Sequence, residues 1–149
     1  MRLEKAEYDN LEKIVIMSKE AFETDIEVGS ESVDGPPHYD SINWHRQMLN
    51  EGHLYQALVG DAIVGGAILF FGKDGESLYI GRIFVDSMYH RKGYGIRLMQ
   101  CIENLSSKVK SINLDTPIWN VRTNSFYKKL GYEVVKEDDE FVYYKKEMI

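Results

Sequence analysis

The stretch from Leu78 to Gln100, LYIGRIFVDSMYHRKGYGIRLMQ, constrains the fold more than any other, because its character changes twice within a short span. Leu78 to Val85 is rich in β-branched and aromatic residues, with Ile80, Ile83, Phe84 and Val85, and reads as a strand buried on much of both faces. From Ile96 the apolar residues recur at helical spacing, and Ile96, Met99, Ile102 and Leu105 form one stripe. Between the two lies HRKGYG. A strand that feeds a helix through such a turn leaves the first helical N–H groups unpaired, at an end where the macrodipole adds about half a positive charge. Gly93 and Gly95 remove side chains where a ligand would approach the backbone, and Arg91 and Lys92 add full positive charges. This is the local chemistry of an anion site, although glycines and basic residues also serve as plain punctuation between elements. Two phosphate signatures are excluded. The spacing Gly93, Gly95, Leu98 lacks the third glycine of a dinucleotide fingerprint, and no Gly-Lys-Ser/Thr follows as in a P-loop.

The flanking segments set the architecture. Arg2 to Ala6 reads as a first strand, and Asp9 or Asn10 is placed to cap a helix with the stripe Leu11, Ile14, Val15, Ser18, Ala21 and Phe22, ending near Thr24. Ile26 to Tyr39, with Gly29, Gly35, Pro36 and Pro37, reads as a long loop, and Asp40 or Ser41 caps a second helix, Ile42 to Asn50. Leu54 to Val59 and Ala62 to Phe71 form a hairpin about Gly60-Asp61, and Gly65-Gly66 signals a bulge or a close backbone approach. Ile112 to Asp115 is a fifth strand, Pro117 breaks the chain, and a helix from about Thr123 to Leu130 ends at Gly131. Tyr132 to Lys136 and Phe141 to Lys146 make a terminal hairpin around an acidic turn. This order predicts an α/β domain with a mixed sheet and helices on both faces. Nothing divides the chain, so residues 1–149 are expected to form one domain.

Composition removes several function classes. With 18 Lys and Arg against 24 Asp and Glu, the net charge of −6 disfavours a nucleic-acid backbone as partner and suits a cationic amine. No run approaches the ~20 apolar residues of a membrane span and no leader is evident, so the expectation is a cytoplasmic protein with no membrane partner. Cys101 is alone and falls in a helix, where a small buried hydrophobe is expected. His38, His45, His53 and His90 show no metal-ligand spacing, so no metal is expected, and no Gly-x-Ser-x-Gly elbow points to a hydrolase.

Two motifs together resemble the GNAT superfamily of N-acetyltransferases. Its acetyl-CoA motif is a strand ending in a small apolar run followed by Gln/Arg-x-x-Gly-x-Gly/Ala at a helix start. Here the run is similar to Ile83-Phe84-Val85 and the turn to His90-Arg91-Lys92-Gly93-Tyr94-Gly95, with His90 departing from the usual Gln or Arg. The family's second motif, Asn and later Phe-Tyr-x-Lys-Leu-Gly-Tyr/Phe, is similar to Asn120 and Phe126 to Tyr132. The element order extends the resemblance over most of the chain. It implies a mixed, mostly antiparallel twisted sheet of about seven strands with about four helices on both faces. It further implies an acetyl-CoA-dependent N-acetyltransferase that moves the acetyl group to a primary amine by direct attack in a ternary complex. Acetyl-CoA is then the cosubstrate, with its pyrophosphate over Arg91 to Ile96, its pantetheine arm along Ile83 to Val85, and its thioester near Tyr127, which serves as catalytic proton donor. The family includes both monomers and homodimers.

The base that deprotonates the amine is less legible. Many family members place a glutamate on the central strand, whereas here strict alternation puts Ser77, Tyr79 and Gly81 on the face leading to Ile83 and Val85, with no carboxylate. Glu76, His38, Asp40 and His45 are the other candidates, each also readable as a cap or surface residue. The loop and helix from Asp34 to His45 offer Tyr39 and Trp44 as walls of an acceptor pocket, or as cover for the core. The missing strand carboxylate leaves an alternative: a non-catalytic acyl-CoA sensor or an interaction module on the same fold.

Overall fold

The computed structural model describes residues 1–24 and 35–148. Most of the expected loop, with Ile26, Gly29 and Asp34, lies outside the described residues. Seven strands, β1 (Arg2–Lys5), β2 (Leu54–Val59), β3 (Ala62–Phe71), β4 (Ser77–Val85), β5 (Ser111–Pro117), β6 (Glu133–Glu137) and β7 (Phe141–Glu147), form one sheet in the order β1-β2-β3-β4-β5-β7-β6. Every neighbouring pair is antiparallel except β4 with β5. The helices are α1 (Leu11–Glu23), α2 (Ile42–Asn50), α3 (Tyr94–Glu103) and α4 (Val121–Lys129). The mixed, mostly antiparallel sheet with helices on both faces is as expected.

Two cores hold the layers together. Leu98, Met99 and Ile102 of α3 and Tyr127 of α4 pack with Leu78, Ile80, Ile112 and Leu114 on one face of the sheet. On the other face, Leu11, Ile14, Val15 and Ala21 of α1 and Met48 of α2 pack with Leu54, Ile68 and Phe84. At about 1.5–3 kcal/mol for each large side chain fully removed from water, these two layers dominate the stabilisation. Ser18 enters the second layer without penalty because its hydroxyl donates to Tyr39 O at 2.8 Å.

Local signals explain most boundaries. Ser41, rather than Asp40, caps α2 by accepting from Trp44 N–H at 3.1 Å. Asn10 sits at the start of α1 but its side chain donates to Gln56 Oε1 instead of capping. Gly131, at φ 91°, takes the left-handed position that ends α4. Pro117 is the last residue of β5 rather than a break before it, since strand ends tolerate a missing donor. In α3 the buried stripe is Leu98, Met99 and Ile102, while Ile96 is 45% exposed. At 100° per residue Ile96 stands about 110° around the helix from the centre of that stripe. Cys101 is only half-buried, its thiol donating to Met1 O at 3.4 Å.

Three register shifts interrupt the sheet; one lies on β6 between Val134 and Lys136, and the other two bear on the site. Of those two, one lies on β3 beside Gly65, where the register with β2 jumps from Ala57↔Gly65 to Leu58↔Ile63. Gly65 also meets the second expectation for the glycine pair, because a Cβ there would collide with the Phe84 carbonyl. The other lies on β4, where Ile68 pairs with Arg82 but Leu69 pairs with Ile80, leaving Gly81 as the extra residue. No helix among the described residues is long and apolar enough to cross a membrane.

Candidate active site

The turn between β4 and α3 is built around backbone conformation. Arg91 (φ 65°) and Gly93 (φ 79°) both occupy the left-handed region, and Gly93 is the residue preceding the helix. A Cβ added at Gly93 would meet nothing within 4 Å, so the space over this turn is open. The first closed helical bond runs from Arg97 N–H to Gly93 O at 3.2 Å. The N–H groups of Tyr94, Gly95 and Ile96 precede it and, as at any helix start, have no intrahelical acceptor. Arg91 and Lys92 are exposed and form no ion pair among the described residues, leaving both charges to the same space. Tyr94 stacks on Tyr89 with ring centroids 5.3 Å apart, and Lys92 and Arg97 lie over these two rings. His90 turns inward: its Nε2–H donates to Val85 O at 2.8 Å and ties the turn to the end of the strand.

The strand leading to that turn parts from its neighbour. The parallel pairing of β4 with β5 ends at Ile80↔Leu114. Beyond it β4 follows β3 through Val85 and β5 follows β7 through Pro117, so the sheet opens between them. The Gly81 bulge coincides with this opening and reverses the alternation. Leu78 and Ile80 therefore share a face with Ile83 and Val85, toward α3, while Tyr79, Arg82 and Phe84 face α1 and α2. The expectation that Ser77, Tyr79 and Gly81 lead toward Ile83 and Val85 is thereby corrected, because an extra residue flips every side chain beyond it. Phe84 buries its ring in the second core, so only its backbone faces the opening's edge.

Tyr127 lies on α4 at 6% exposure, edge-on to Phe126 and Tyr132. Burial first, and the Asp115 carboxylate second, push its hydroxyl well above the usual phenol range. That hydroxyl has no hydrogen-bond partner among the described residues. Asn120 is buried about two turns earlier and caps α4, accepting from Thr123 N–H at 3.1 Å. Its Oδ1 therefore serves the helix start.

The face toward α1 and α2 carries a cleft of about 190 Å³ lined by Trp44, Ile68, Phe70, Tyr79, Gly81 and Arg82. At its β5 side the Tyr79 hydroxyl donates to Asp115 Oδ2 at 2.5 Å. Burial, then that bond, hold the Tyr79 phenol far above its ordinary value. Asp115 was not among the candidate bases. The signal was present, since buried Ile112, Leu114 and Thr116 alternate along β5 and place Asp115 on the opposite face, at the first residue past the last rung with β4. The expected candidates stand elsewhere. Glu76 pairs with Lys110 at 3.1 Å in solvent. His38 stacks on Trp44 at 5.6 Å, and Asp40 is exposed. His45 is fully buried with Nδ1–H donating to Ser41 O at 2.7 Å, and burial lowers its pKa below the ordinary value. Trp44 lines the cleft, whereas Tyr39 packs edge-on against Phe22 and donates to Glu23 at 3.0 Å.

Residues 17–132 match the family model described as "Acetyltransferase (GNAT) family", well over half of the chain. The chain belongs to the GNAT acetyltransferase family. A curated relative, the L-ornithine N5-acetyltransferase NATA1 of Arabidopsis thaliana, is 34% identical over 89 residues, which cover 53% of this chain and only 38% of that protein. Among solved structures, a GNAT-family acetyltransferase of Streptococcus agalactiae superposes with a TM-score of 0.86 at 16% identity, covering 99% of this chain and 95% of its own. The PaiA N-acetyltransferase of Thermoplasma acidophilum, solved with coenzyme A, gives 0.78 at 18% identity over 99% and 98% of the two chains.

Acetyl-CoA is the acetyl donor of the GNAT family, and the residues of this GNAT chain fit it. The open space at Gly93, the N–H groups of Tyr94 to Ile96 and the charges of Arg91 and Lys92 suit a pyrophosphate. The unpaired edge of Ile83 to Val85 along the opening suits an amide-bearing chain that pairs like an added strand. The donor set calls for no metal, and among the described residues no group of three or more His, Cys, Asp or Glu is placed to hold one.

Proposed function

We propose that the protein transfers the acetyl group of acetyl-CoA to a primary amine by direct attack within a ternary complex. The observation that carries this reading is the opening between β4 and β5, with Tyr127 beside it on one face and the Tyr79–Asp115 pair on the other. Acetyl-CoA supplies an activated thioester. Arg91, Lys92 and the N–H groups of Tyr94 to Ile96 hold its pyrophosphate, and the edge of Ile83 to Val85 holds its arm. The Asn120 side chain contributes by fixing the start of α4, and His90 by fixing the turn. Two faces of one opening thus keep donor and acceptor apart until they meet at its mouth.

An acceptor ammonium with pKa near 10.4 must lose its proton before attack, which near pH 7 costs roughly 4–5 kcal/mol. Asp115 lowers that cost in two ways. Its charge draws the ammonium to the mouth, and its carboxylate takes the proton, with Tyr79 passing one through: ammonium N–H to Tyr79 Oη, and Tyr79 Oη–H to Asp115 Oδ2. Tyr127 keeps its own proton at neutral pH because burial and Asp115 both oppose its ionisation, and it delivers that proton to the departing sulfur. The curated relative's name, an ornithine N5-acetyltransferase, supports an amine nitrogen as acceptor. The non-catalytic reading rested on the lack of a carboxylate on the central strand, and Asp115 on the adjacent strand supplies that group. The test is CoA release from acetyl-CoA with a panel of primary amines. Tight acetyl-CoA binding without amine-dependent release by any of them would overturn the proposal.

A further inference from the structure

We propose that the acceptor carries a carboxylate beside its reactive amine, and that Arg82 in the cleft walled by Trp44, Phe70 and Tyr79 binds it. This rests on the amine-transfer reading above and names the class of substrate it takes. Arg82 is the cation of the cleft wall, and its charge is poorly compensated. Its guanidinium lies over the Trp44 ring at 4.8 Å, and Nη2–H donates to Pro37 O at 2.6 Å. Nη1 is shielded from water and has no hydrogen-bond partner among the described residues. No carboxylate lies within ion-pair distance of Arg82 among the described residues.

Such an arrangement is costly unless a ligand completes it. A half-buried guanidinium calls for a counter-charge and for acceptors on its shielded N–H groups, and among the described residues one backbone carbonyl, at Nη2, is all that answers. Burial lowers the Arg82 pKa, which is the electrostatic mark of the same deficit. Asp115 favours the charged guanidinium from a distance but forms no ion pair with it, and its Oδ2 accepts from Tyr79. A role confined to holding the Pro37 segment would use Nη2 and the ring contact alone and would leave Nη1 idle. A planar carboxylate matches the guanidinium fork, and a turn of the guanidinium toward the cleft presents Nη1 to it.

Placement of the two charges defines the ligand further. Asp115 accepts from the Tyr79 hydroxyl, and Tyr79 and Arg82 line the same cleft, so an acidic and a basic group serve one space. A zwitterion with its ammonium at Asp115 and its acid group at Arg82 spans the cleft with both charges paired. A diamine of equal length would place a second cation against Arg82.

The experiment offers the purified protein matched acceptors that differ by one carboxylate: lysine and cadaverine, ornithine and putrescine, a glycine-terminated lysyl peptide and its amide. CoA release is followed with the native protein and with Arg82→Gln. The expected result is that kcat/KM is at least about tenfold higher for the carboxylate-bearing member of each acetylated pair. Arg82→Gln should abolish that preference through KM of the acceptor, leave KM for acetyl-CoA unchanged, and lower kcat/KM for the carboxylate-bearing member at least about tenfold more than for the carboxylate-free one. Preference for the carboxylate-free member, or an equal loss for both members in Arg82→Gln, overturns the inference while the transfer reading stands. Absence of release with every amine overturns both.

Discussion

The Tyr79 hydroxyl and the Asp115 carboxylate meet across the point where two parallel strands part. Tyr79 is on β4 one residue before the last rung and Asp115 is on β5 one residue after it, so the bond closes the sheet at the mouth of the opening. A phenol that donates to a carboxylate here leaves its own oxygen lone pairs to face an arriving ammonium, and the charge of Asp115 lies directly behind it. The pair braces the sheet and, in the proposed reaction, is the route for one proton.

Asp115→Asn keeps the shape and removes the charge. The expected outcome is a fall in kcat of about 10²- to 10⁴-fold, with acetyl-CoA affinity within a few-fold of native. Steady-state kinetics beside calorimetric titration of acetyl-CoA separates the two quantities, and an unchanged kcat would remove Asp115 from the chemistry.

Tyr127→Phe removes a hydroxyl that the surrounding rings hold in place and leaves those rings packed. Turnover is expected to drop by about 10²-fold or more while acetyl-CoA binding holds, because the proton for the departing sulfur must then come from water. Equal turnover in the two proteins would assign Tyr127 to packing alone.

At Gly93 two substitutions separate conformation from charge. Gly93→Ala puts a methyl into open space and costs about 1–2 kcal/mol of stability for the left-handed backbone. Gly93→Glu adds a negative charge where a pyrophosphate would lie and should weaken acetyl-CoA at least about tenfold more than Gly93→Ala does. Titration of both variants is decisive: equal affinities would move the pyrophosphate away from this turn.

His45 makes stability depend on pH. Its burial, opposed in part by the bond to Ser41 O and by Asp40 and aided by Arg82 and His38, holds its folded pKa below the ordinary value near 6.5. As pH falls below about 6.5 the unfolded chain binds a proton that the native chain refuses, so stability decreases from there down through the folded pKa and is fully present above 6.5. Thermal unfolding between pH 7.5 and 5 should therefore show a steeper loss of Tm in the native protein than in His45→Asn, which keeps a donor for Ser41 O. Parallel curves would mean that His45 charges as readily folded as unfolded.

What could be read in advance divides along a physical line. Apolar periodicity, caps and glycine placement are local, and they placed all the elements and the open turn at Gly93. The end of the strand pairing and the bulge at Gly81 are not local. Whether an extra residue is absorbed depends on the partner strand, and here it is the Phe70 ring and the Ile68 carbonyl that close over Gly81 and leave it no room for a side chain. Strict alternation therefore put Tyr79 on the wrong face, and with it the partner that marks Asp115 was lost. Asn120, singled out by a motif, also caps α4 through its side-chain oxygen, a local role that the Asn before a helix makes legible.

Gly81 also divides the central strand into two parts that answer to different demands. Upstream, Leu78 and Ile80 anchor the core under α3; downstream, the same face passes to Ile83 and Val85, while Arg82 is turned out beside Tyr79. The strand works like a ribbon with a half-twist pinned at one bead. Drawing Gly81 into regular pairing, instead of leaving it as the extra residue, would shift no residue by more than one place, yet it would exchange inside for outside along the whole downstream half, handing Arg82 to the core and Ile83 to the cleft.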